Sequence, residues 1–171
     1  NDIRGRICAD IGASTGGFSD CLLKNGAKKV YAVDVGFGQL HQSLRDNPSI
    51  IVMERTNVKS IREFPESIEF VTIDVSFISL KRVIPIVKLW SDKKIIRVLA
   101  LIKPQFEVGR KIAAKGKGVI RDKREHEKVK KDIIAFAKDE GFEFLGITDS
   151  PIPGPKGNER NSELYPEAVC P

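Results

Sequence analysis

A glycine-rich segment near the start of the chain has the residue types of a nucleoside-binding turn. It reads Asp-Ile-Gly-Ala-Ser-Thr-Gly-Gly-Phe over residues 10–18, after a short apolar run and before a predicted helix. Strand, glycine-rich turn and helix in that order form the ligand-binding corner of a doubly wound α/β domain. A dinucleotide site needs G-x-G-x-x-G, which seats a pyrophosphate on the helix N-terminus. Here the glycines stand at positions 12, 16 and 17, with Asp10 two residues before the first, so the pattern favours a ligand without phosphate.

S-adenosylmethionine (AdoMet) is a ligand of this kind, because its amino-acid end needs a carboxylate acceptor and backbone N–H donors. The contacts predicted within the turn are Asp10, Gly12, Ala13, Ser14, Thr15, Gly16 and Gly17. Asp34, at the end of the second predicted strand, can accept both ribose hydroxyls of a nucleoside, with Val35 beside it. NAD sites use an acidic residue in the same way, so Asp34 does not by itself distinguish AdoMet from NAD. The alternative is that Asp34 caps a helix or forms a turn. Asn57, after the third strand, is predicted to bond the adenine edge, although a turn-forming asparagine fits equally well.

Two further polar residues end neighbouring predicted strands. Asp74 follows the fourth strand and Lys103 ends the fifth, where Pro104 forces the chain out of the sheet. Parallel neighbours bring both side chains to the carboxyl edge, where ligands bind in open α/β sheets. A carboxylate and a lysine in a partly desolvated cleft can polarise or deprotonate a weakly acidic hydroxyl beside a methyl donor. A structural ion pair is the alternative, and the nearby glycine-rich turn favours the catalytic interpretation.

Other methyl-transfer chemistries fit this sequence less well. Methylation of a base amino group usually goes with a Pro-Pro-aromatic segment after the fourth strand, where this chain has Val-Ser-Phe. Methylation at a pyrimidine carbon needs a nucleophilic cysteine, and Cys8, Cys21 and Cys170 lie at no strand-end motif. The three cysteines also lack metal-ligand spacing, so we predict no metal site and a reducing, cytoplasmic setting.

Strand and helix signals alternate along the chain and predict an α/β fold with a mostly parallel, twisted sheet and helices on both faces. The predicted strands are residues 7–11, 30–34, 50–54, 69–74, 97–102 and 143–148, and the predicted helices are 18–24, 40–45, 80–90 and 123–140. The last helix is the clearest, with Asp122 as its cap and Gly141 as its stop. We expect His126 on the exposed face of that helix, without a role, and Trp90 as a packing residue at a helix end.

Length and charge limit the classes of function. The chain has 171 residues, enough for a single domain with a core, and a formal net charge of +6. Residues 110–131 contain ten Lys or Arg against three acidic residues, and the loop residues Arg110, Lys111, Lys115 and Lys117 are predicted to bind RNA. The alternative interpretation of this basic segment is a solvated helix face together with a loop. The longest strongly apolar stretch, residues 95–102, contains Arg97 and is too short for a membrane span.

Six motifs occur in order along the chain. They are DIGASTGGF at 10–18, DVGFGQL at 34–40, ERTN at 54–57, DVSFISL at 74–80, KPQFE at 103–107 and PGPKGN at 153–158. Together they resemble the TlyA family of FtsJ-like RNA methyltransferases, which are often labelled hemolysins. The resemblance implies one Rossmann-like AdoMet-dependent methyltransferase domain over residues 1–171, with an irregular tail at 158–171, that methylates cytidine ribose 2′-hydroxyls of ribosomal RNA within ribosomal subunits.

FtsJ-like enzymes use a Lys-Asp-Lys-Glu tetrad, and the resemblance assigns its Asp and second Lys to Asp74 and Lys103. It implies that Lys103 activates the ribose hydroxyl, while Asp74 orients that hydroxyl and helps to bind the methyl donor. The first Lys, and a small RNA-binding domain, are expected upstream of this chain. The tetrad Glu should stand at position 160, which is Arg, so Glu159 is the nearest substitute and Glu163 is the alternative. Because of this departure from the family pattern, the alternative interpretation of the chain is a catalytically impaired module that binds RNA or the ribosome. A membrane-active hemolysin is a remote third alternative.

Overall fold

Five parallel strands form the sheet that positions the site. The computed structural model describes residues 3–90, 95–108, 120 and 122–148. The strands are β1 (Ile7–Ile11), β2 (Lys29–Val33), β3 (Ile50–Met53), β4 (Phe70–Ile73) and β5 (Arg97–Ala100). Their order in the sheet is β3-β2-β1-β4-β5, and every neighbouring pair is parallel. The predicted α/β class with a parallel sheet is confirmed.

Within the described residues, five helices lie between or after these strands. They are α1 (Gly17–Lys24), α2 (Gln42–Arg45), α3 (Ile84–Leu89), α4 (Pro104–Glu107) and α5 (Lys123–Asp139), with short 3₁₀ turns at Val58–Ser60 and Leu80–Arg82. Asp122 caps α5 by accepting a hydrogen bond from the Arg124 N–H at 2.8 Å, and Gly141 follows the helix with φ of +93°. The start and the end of α5 are therefore set by Asp122 and Gly141, as the sequence predicts.

The sheet is buried on both faces, as the continuous apolar runs of its strands predict. On one face, Ile11, Val33 and Ile73 pack with Val87 of α3 and Ile133 of α5. On the other face, the strands pack against α1 and α2 through a smaller cluster that includes Cys8, Val30, Ala32, Leu22 and Leu44. Because adjacent strand residues point to opposite faces, both helical layers are attached to the same five strands.

Three sequence predictions about elements need correction. The predicted strand at 143–148 is wrong, because residues 143–147 form no strand and only Thr148 makes an isolated bridge. The predicted helix 80–90 is divided into a 3₁₀ turn and α3, because Pro85 has no N–H and its ring conflicts with the carbonyl four residues earlier. His126 is not on an exposed face: it is buried, and its Nε2 lies 2.6 Å from the carbonyl oxygen of Ile120.

Trp90 confirms its predicted packing role. The side chain is buried at the end of α3, and its indole N–H donates to the carbonyl of Ile61 at 3.2 Å. Its ring contacts Phe64, which in turn contacts Tyr31. These rings fix the connection between β3 and β4 to the sheet, at a distance from the carboxyl edge.

Candidate active site

A cleft of about 430 Å³ opens at the carboxyl ends of the strands. This volume falls within the range of about 300–1,000 Å³ typical of small-molecule sites. Its walls come from the segments that follow β1, β2, β3 and β4. Among the predicted site residues, those that line it are Gly12, Ser14, Asp34, Val35, Asn57 and Asp74.

Gly12 allows the end of β1 to lie directly against the end of β4. Its φ is +85°, and a Cβ at this position would lie 2.3 Å from the backbone oxygen of Asp74. Its N–H donates to the carbonyl of Val33 at 2.9 Å. Only glycine fits both the left-handed backbone and this close approach.

Asp34 joins the glycine-rich turn to the end of β2. Its Oδ2 accepts a hydrogen bond from the Ser14 N–H at 2.8 Å, and its Oδ1 accepts one from the Gly36 N–H at 2.7 Å. Ser14 itself has a φ of +49°. A carboxylate has about four acceptor positions, so Asp34 can still accept hydrogen bonds from a ligand hydroxyl in the cleft.

Asp10 lies beneath the turn, and its side chain is fully buried. Its oxygens accept hydrogen bonds from Ser19 Oγ of α1 at 2.7 Å and from Thr72 Oγ1 of β4 at 2.8 Å. Burial raises the pKa of Asp10 to about 6, although both hydroxyl donors act in the opposite direction. In this geometry Asp10 ties three elements together under the cleft and does not open into it.

The remaining turn residues shape the start of α1. Gly16 has a φ of +100°, and a Cβ there would lie 2.2 Å from Leu44 Cδ1. Thr15 accepts a hydrogen bond from the His41 N–H through its carbonyl. In the part of the chain that the structure describes, Ala13, Thr15, Gly16 and Gly17 are not among the residues that line the cleft. Their placement indicates that they set the path of the turn and the packing of α2.

Asn57 fits both interpretations that its sequence allows. Its Oδ1 accepts a hydrogen bond from the Lys59 N–H at 3.0 Å and so caps the 3₁₀ turn Val58–Ser60. The residue also lines the cleft. Asn57 is thus held in place by its turn at the wall where a nucleoside base can reach it.

Asp74 and Lys103 come together at the carboxyl edge of the adjacent strands β4 and β5. Lys103 Nζ forms an ion pair with Asp74 Oδ1 and donates a hydrogen bond to Ser76 Oγ at 3.1 Å. The side chain of Lys103 is 17% exposed and that of Asp74 is 31% exposed. Pro104 begins α4 directly after Lys103. Lys103 is not among the residues that line the cleft, but both of its partners, Asp74 and Ser76, are. A charged pair that is partly shielded from water has the electrostatic strength that polarisation of a hydroxyl requires.

Two exposed aromatic residues at this edge escaped the sequence predictions. Phe77 is 91% exposed, has a φ of +64°, and lies with its ring centroid 5.0 Å from that of Phe106. Phe37 is 66% exposed, and the guanidinium of Arg55 lies 4.1 Å from its ring centroid. Large aromatic side chains in water usually mark an interaction site. The sequence signal that could have identified them is their position in two motifs at strand ends, DVGFGQL at 34–40 and DVSFISL at 74–80.

Several predicted residues lie outside the described residues: Glu159, Arg110, Lys111, Lys115 and Lys117. Over the described residues, no group of three or more His, Cys, Asp or Glu is arranged to hold a metal ion. In the same part of the chain, no helix combines the length and apolar character needed to cross a membrane.

The family model for FtsJ-like methyltransferases matches residues 1–161. The chain belongs to the FtsJ-like methyltransferase family. The resemblance to TlyA proteins and the methyltransferase fold are thereby confirmed.

Three similar proteins place the chain within that family. It is 46% identical over 163 residues to a candidate rRNA methyltransferase, YqxC, of Bacillus subtilis, covering 91% of this chain and 56% of the relative. It is 41% identical over 160 residues to the 16S/23S rRNA (cytidine-2′-O)-methyltransferase TlyA of Mycobacterium tuberculosis, covering 91% and 58%. A crystal structure of a candidate hemolysin from Lactococcus lactis superposes with a TM-score of 0.88 at 41% identity, covering 99% and 78%. The chain thus spans little more than half the length of these two curated relatives.

Proposed function

We propose that this chain is the AdoMet-binding, catalytic part of a methyltransferase that modifies the ribose 2′-hydroxyl of cytidines in ribosomal RNA. The observation that carries the proposal is the ion pair between Lys103 and Asp74 at the edge of the cleft. The family model supports methyl transfer, and the name of the M. tuberculosis relative supports the substrate and the position of the methyl group.

The residues of the cleft fit AdoMet. Gly12 and Ser14, of the glycine-rich turn, line the cleft. These two residues would hold the amino-acid end. Asp34 would accept the ribose hydroxyls, and Asn57 would contact the adenine edge. When bound, AdoMet supplies an activated methyl group to this site.

Lys103 and Asp74 would act on the acceptor hydroxyl. The 2′-oxygen would take the methyl group as its bond to the sulfur of the donor breaks, and the hydroxyl proton would pass to solvent water. The Lys103 ammonium would stabilise the negative charge that develops on the ribose oxygen through a charge-assisted hydrogen bond. Asp74 holds Nζ in position, and Ser76 provides a second fixed partner for it. The partial burial of the pair strengthens the interaction, because less water screens it.

The rim of the cleft suits RNA better than a small acceptor. Phe77 presents an exposed ring beside the ion pair, on which a base can stack. Arg55, which lies over Phe37, offers a cation and an aromatic surface on the segments that follow β3 and β2. The net charge of +6 and the predicted RNA-binding residues Arg110, Lys111, Lys115 and Lys117 add attraction for a polyanion.

Two assays on the full-length protein test this proposal. Calorimetric titration with AdoMet should show binding, and ribosomal subunits should accept a labelled methyl group on a cytidine ribose. Lys103→Ala should reduce methyl transfer by about 100-fold or more while AdoMet binding persists. Lys24→Ala is the matched control, because Lys24 also forms an ion pair with an aspartate, Asp20, but on the exposed surface of α1.

The outcomes separate the alternatives. A folded protein that releases no heat with AdoMet would contradict the proposal. AdoMet and RNA binding without methyl transfer by the wild-type protein would instead favour the impaired RNA-binding module, which the Arg at position 160 suggests.

A further inference from the structure

We propose that Glu107 is a positioning residue that holds the loop of residues 74–80 against Lys103. We call these residues the acceptor loop, since they begin at Asp74 and contain Ser76 and Phe77. The inference rests on the proposed function, because it concerns the geometry of the same site. It gives a role to a half-buried carboxylate that the proposed mechanism does not use.

The carboxylate of Glu107 is engaged entirely by the acceptor loop and the turn that follows it. Oε2 accepts a hydrogen bond from Ser79 Oγ at 2.5 Å, and Oε1 accepts one from the Leu80 N–H at 2.8 Å. Ser79 Oγ in turn accepts from the Lys81 N–H at 3.1 Å. Burial raises the pKa of Glu107, whereas these two hydrogen bonds oppose that rise. One side chain thus fixes both a side chain and a backbone group at the far end of the loop.

Lys103 and Phe106 attach the same loop nearer its start. Lys103 Nζ contacts Asp74 and Ser76, and the ring of Phe106 packs on Phe77. Residues 103–107 therefore meet the acceptor loop at three successive points. Since Lys103 and Glu107 belong to one short segment, any movement of the loop away from Glu107 also changes the surroundings of Nζ.

The backbone of Phe77 explains why such attachment is needed. A φ of +64° places a bulky residue in the left-handed region, which is unfavourable and persists only where neighbouring contacts enforce it. Lys103 holds Ser76 immediately before Phe77, and Glu107 holds Ser79 shortly after it. Without Glu107, the far side of Phe77 loses its anchor and the strained conformation is free to relax.

Although the first half of the acceptor loop lines the cleft, the other proposed cofactor contacts lie on different segments, and this difference makes the proposal testable. Gly12, Ser14, Asp34 and Asn57 follow β1, β2 and β3, whereas the hydrogen bonds of Glu107 described above go to Ser79 and Leu80. Loss of Glu107 should therefore impair the chemical step more than AdoMet binding. A general loss of stability would affect both.

The test compares Glu107→Ala with Glu107→Gln in the full-length protein. For Glu107→Ala we expect an AdoMet Kd within about twofold of wild type, a kcat for methyl transfer reduced about tenfold or more, and faster hydrogen exchange over residues 74–82. Glu107→Gln should recover most of kcat, because its amide can accept from the Leu80 N–H and donate to Ser79 Oγ. Glu143→Ala, at an exposed position, is the matched control.

Each result bears on one proposal. Unchanged kcat and unchanged exchange in Glu107→Ala would overturn the positioning role, as would parallel losses of kcat and AdoMet affinity. If Glu107→Ala does not fold, Ser79→Ala removes one of the two hydrogen bonds and should give the same changes at smaller amplitude. Hydrogen exchange does not depend on activity, so a wild-type protein that fails to methylate RNA contradicts the proposed function without deciding the positioning role.

Discussion

The two halves of the site are held together by different means. On the cofactor side, backbone N–H groups of Ser14 and Gly36 hold the Asp34 carboxylate, and Gly12 packs without a side chain against Asp74. On the acceptor side, the contacts start from long side chains. Lys103 contacts the side chains of Asp74 and Ser76, and Glu107 contacts the Ser79 hydroxyl and the Leu80 N–H. The first half is thus built into the path of the main chain, whereas the second depends on long side chains that have rotamer freedom to lose.

This difference suggests a division of labour. A rigid cofactor half keeps the methyl donor in one place, and an acceptor half held by side chains can be adjusted when RNA binds. Substitutions in the cofactor half should therefore act on binding and stability together, while those in the acceptor half should act on turnover.

Gly12→Ala should give the largest effect and tests the rigid half directly. The new Cβ would lie 2.3 Å from the Asp74 oxygen, on a backbone with φ of +85°. Overpacking and left-handed strain should together lower the free energy of unfolding by about 3 kcal/mol or more, and displacement of the turn should weaken AdoMet binding as well. Calorimetry measures the affinity and thermal unfolding measures the stability.

Gly17→Ala is the natural control for that substitution. No heavy atom lies within 4 Å of a Cβ built at Gly17, and the residue begins α1. We expect stability and AdoMet affinity close to those of the wild type. Equal losses in the two variants would show that the close approach of β1 to β4 is not what the site depends on.

Asp10→Asn should change the pH dependence of stability in the cofactor half. The pKa of Asp10 is raised from 3.8 to about 6, so the native state retains this proton at pH values where the unfolded chain has lost it. As the pH rises from about 4 to 6, the free energy of unfolding of the wild type should therefore fall by about 3 kcal/mol relative to that of the variant. Denaturant unfolding at several pH values measures the difference.

The comparison with the variant isolates Asp10 from other carboxylates. Hydrogen bonds from Lys29 and Tyr31 lower the pKa of Glu66, so that group contributes in the opposite direction and at lower pH. Asp20→Asn, on the exposed surface of α1, is the matched control for removal of an aspartate charge. A wild type and an Asp10→Asn variant with parallel pH profiles would contradict the buried, high-pKa carboxyl.

The sheet and the meeting of Asp74 with Lys103 could be predicted from the sequence, because both follow from local patterns and one topological rule. Apolar runs locate the strands, and polar residues at the ends of adjacent parallel strands must share an edge. His126 also carried a signal: its spacing to Val129 and Ile133 places it on the apolar stripe of α5. The polar residue type, rather than its position, led to the wrong prediction.

The partners of buried polar groups could not be predicted in this way. Asp10 meets Thr72, which is 62 residues away, and Glu107 meets Ser79 across 28 residues. Such pairs depend on the register of β1 against β4 and on where α4 begins, and neither is encoded in a local pattern. The exposure of Phe77 likewise depends on a backbone conformation that its residue type disfavours.

Phe77→Leu should give a smaller effect, confined to the acceptor half. Leucine keeps an apolar side chain at this position but removes the ring that is 91% exposed and packed on Phe106. If a base stacks on Phe77, the loss should weaken RNA binding by about 1–2 kcal/mol and leave the AdoMet Kd unchanged. Binding of ribosomal RNA and of AdoMet, measured on the same preparation, gives both values.

Phe64→Leu, within the ring cluster beside Trp90, should do the reverse and lower stability without a specific effect on RNA affinity. Matching effects of the two substitutions on RNA would remove the reason for treating the acceptor half as the RNA-facing half.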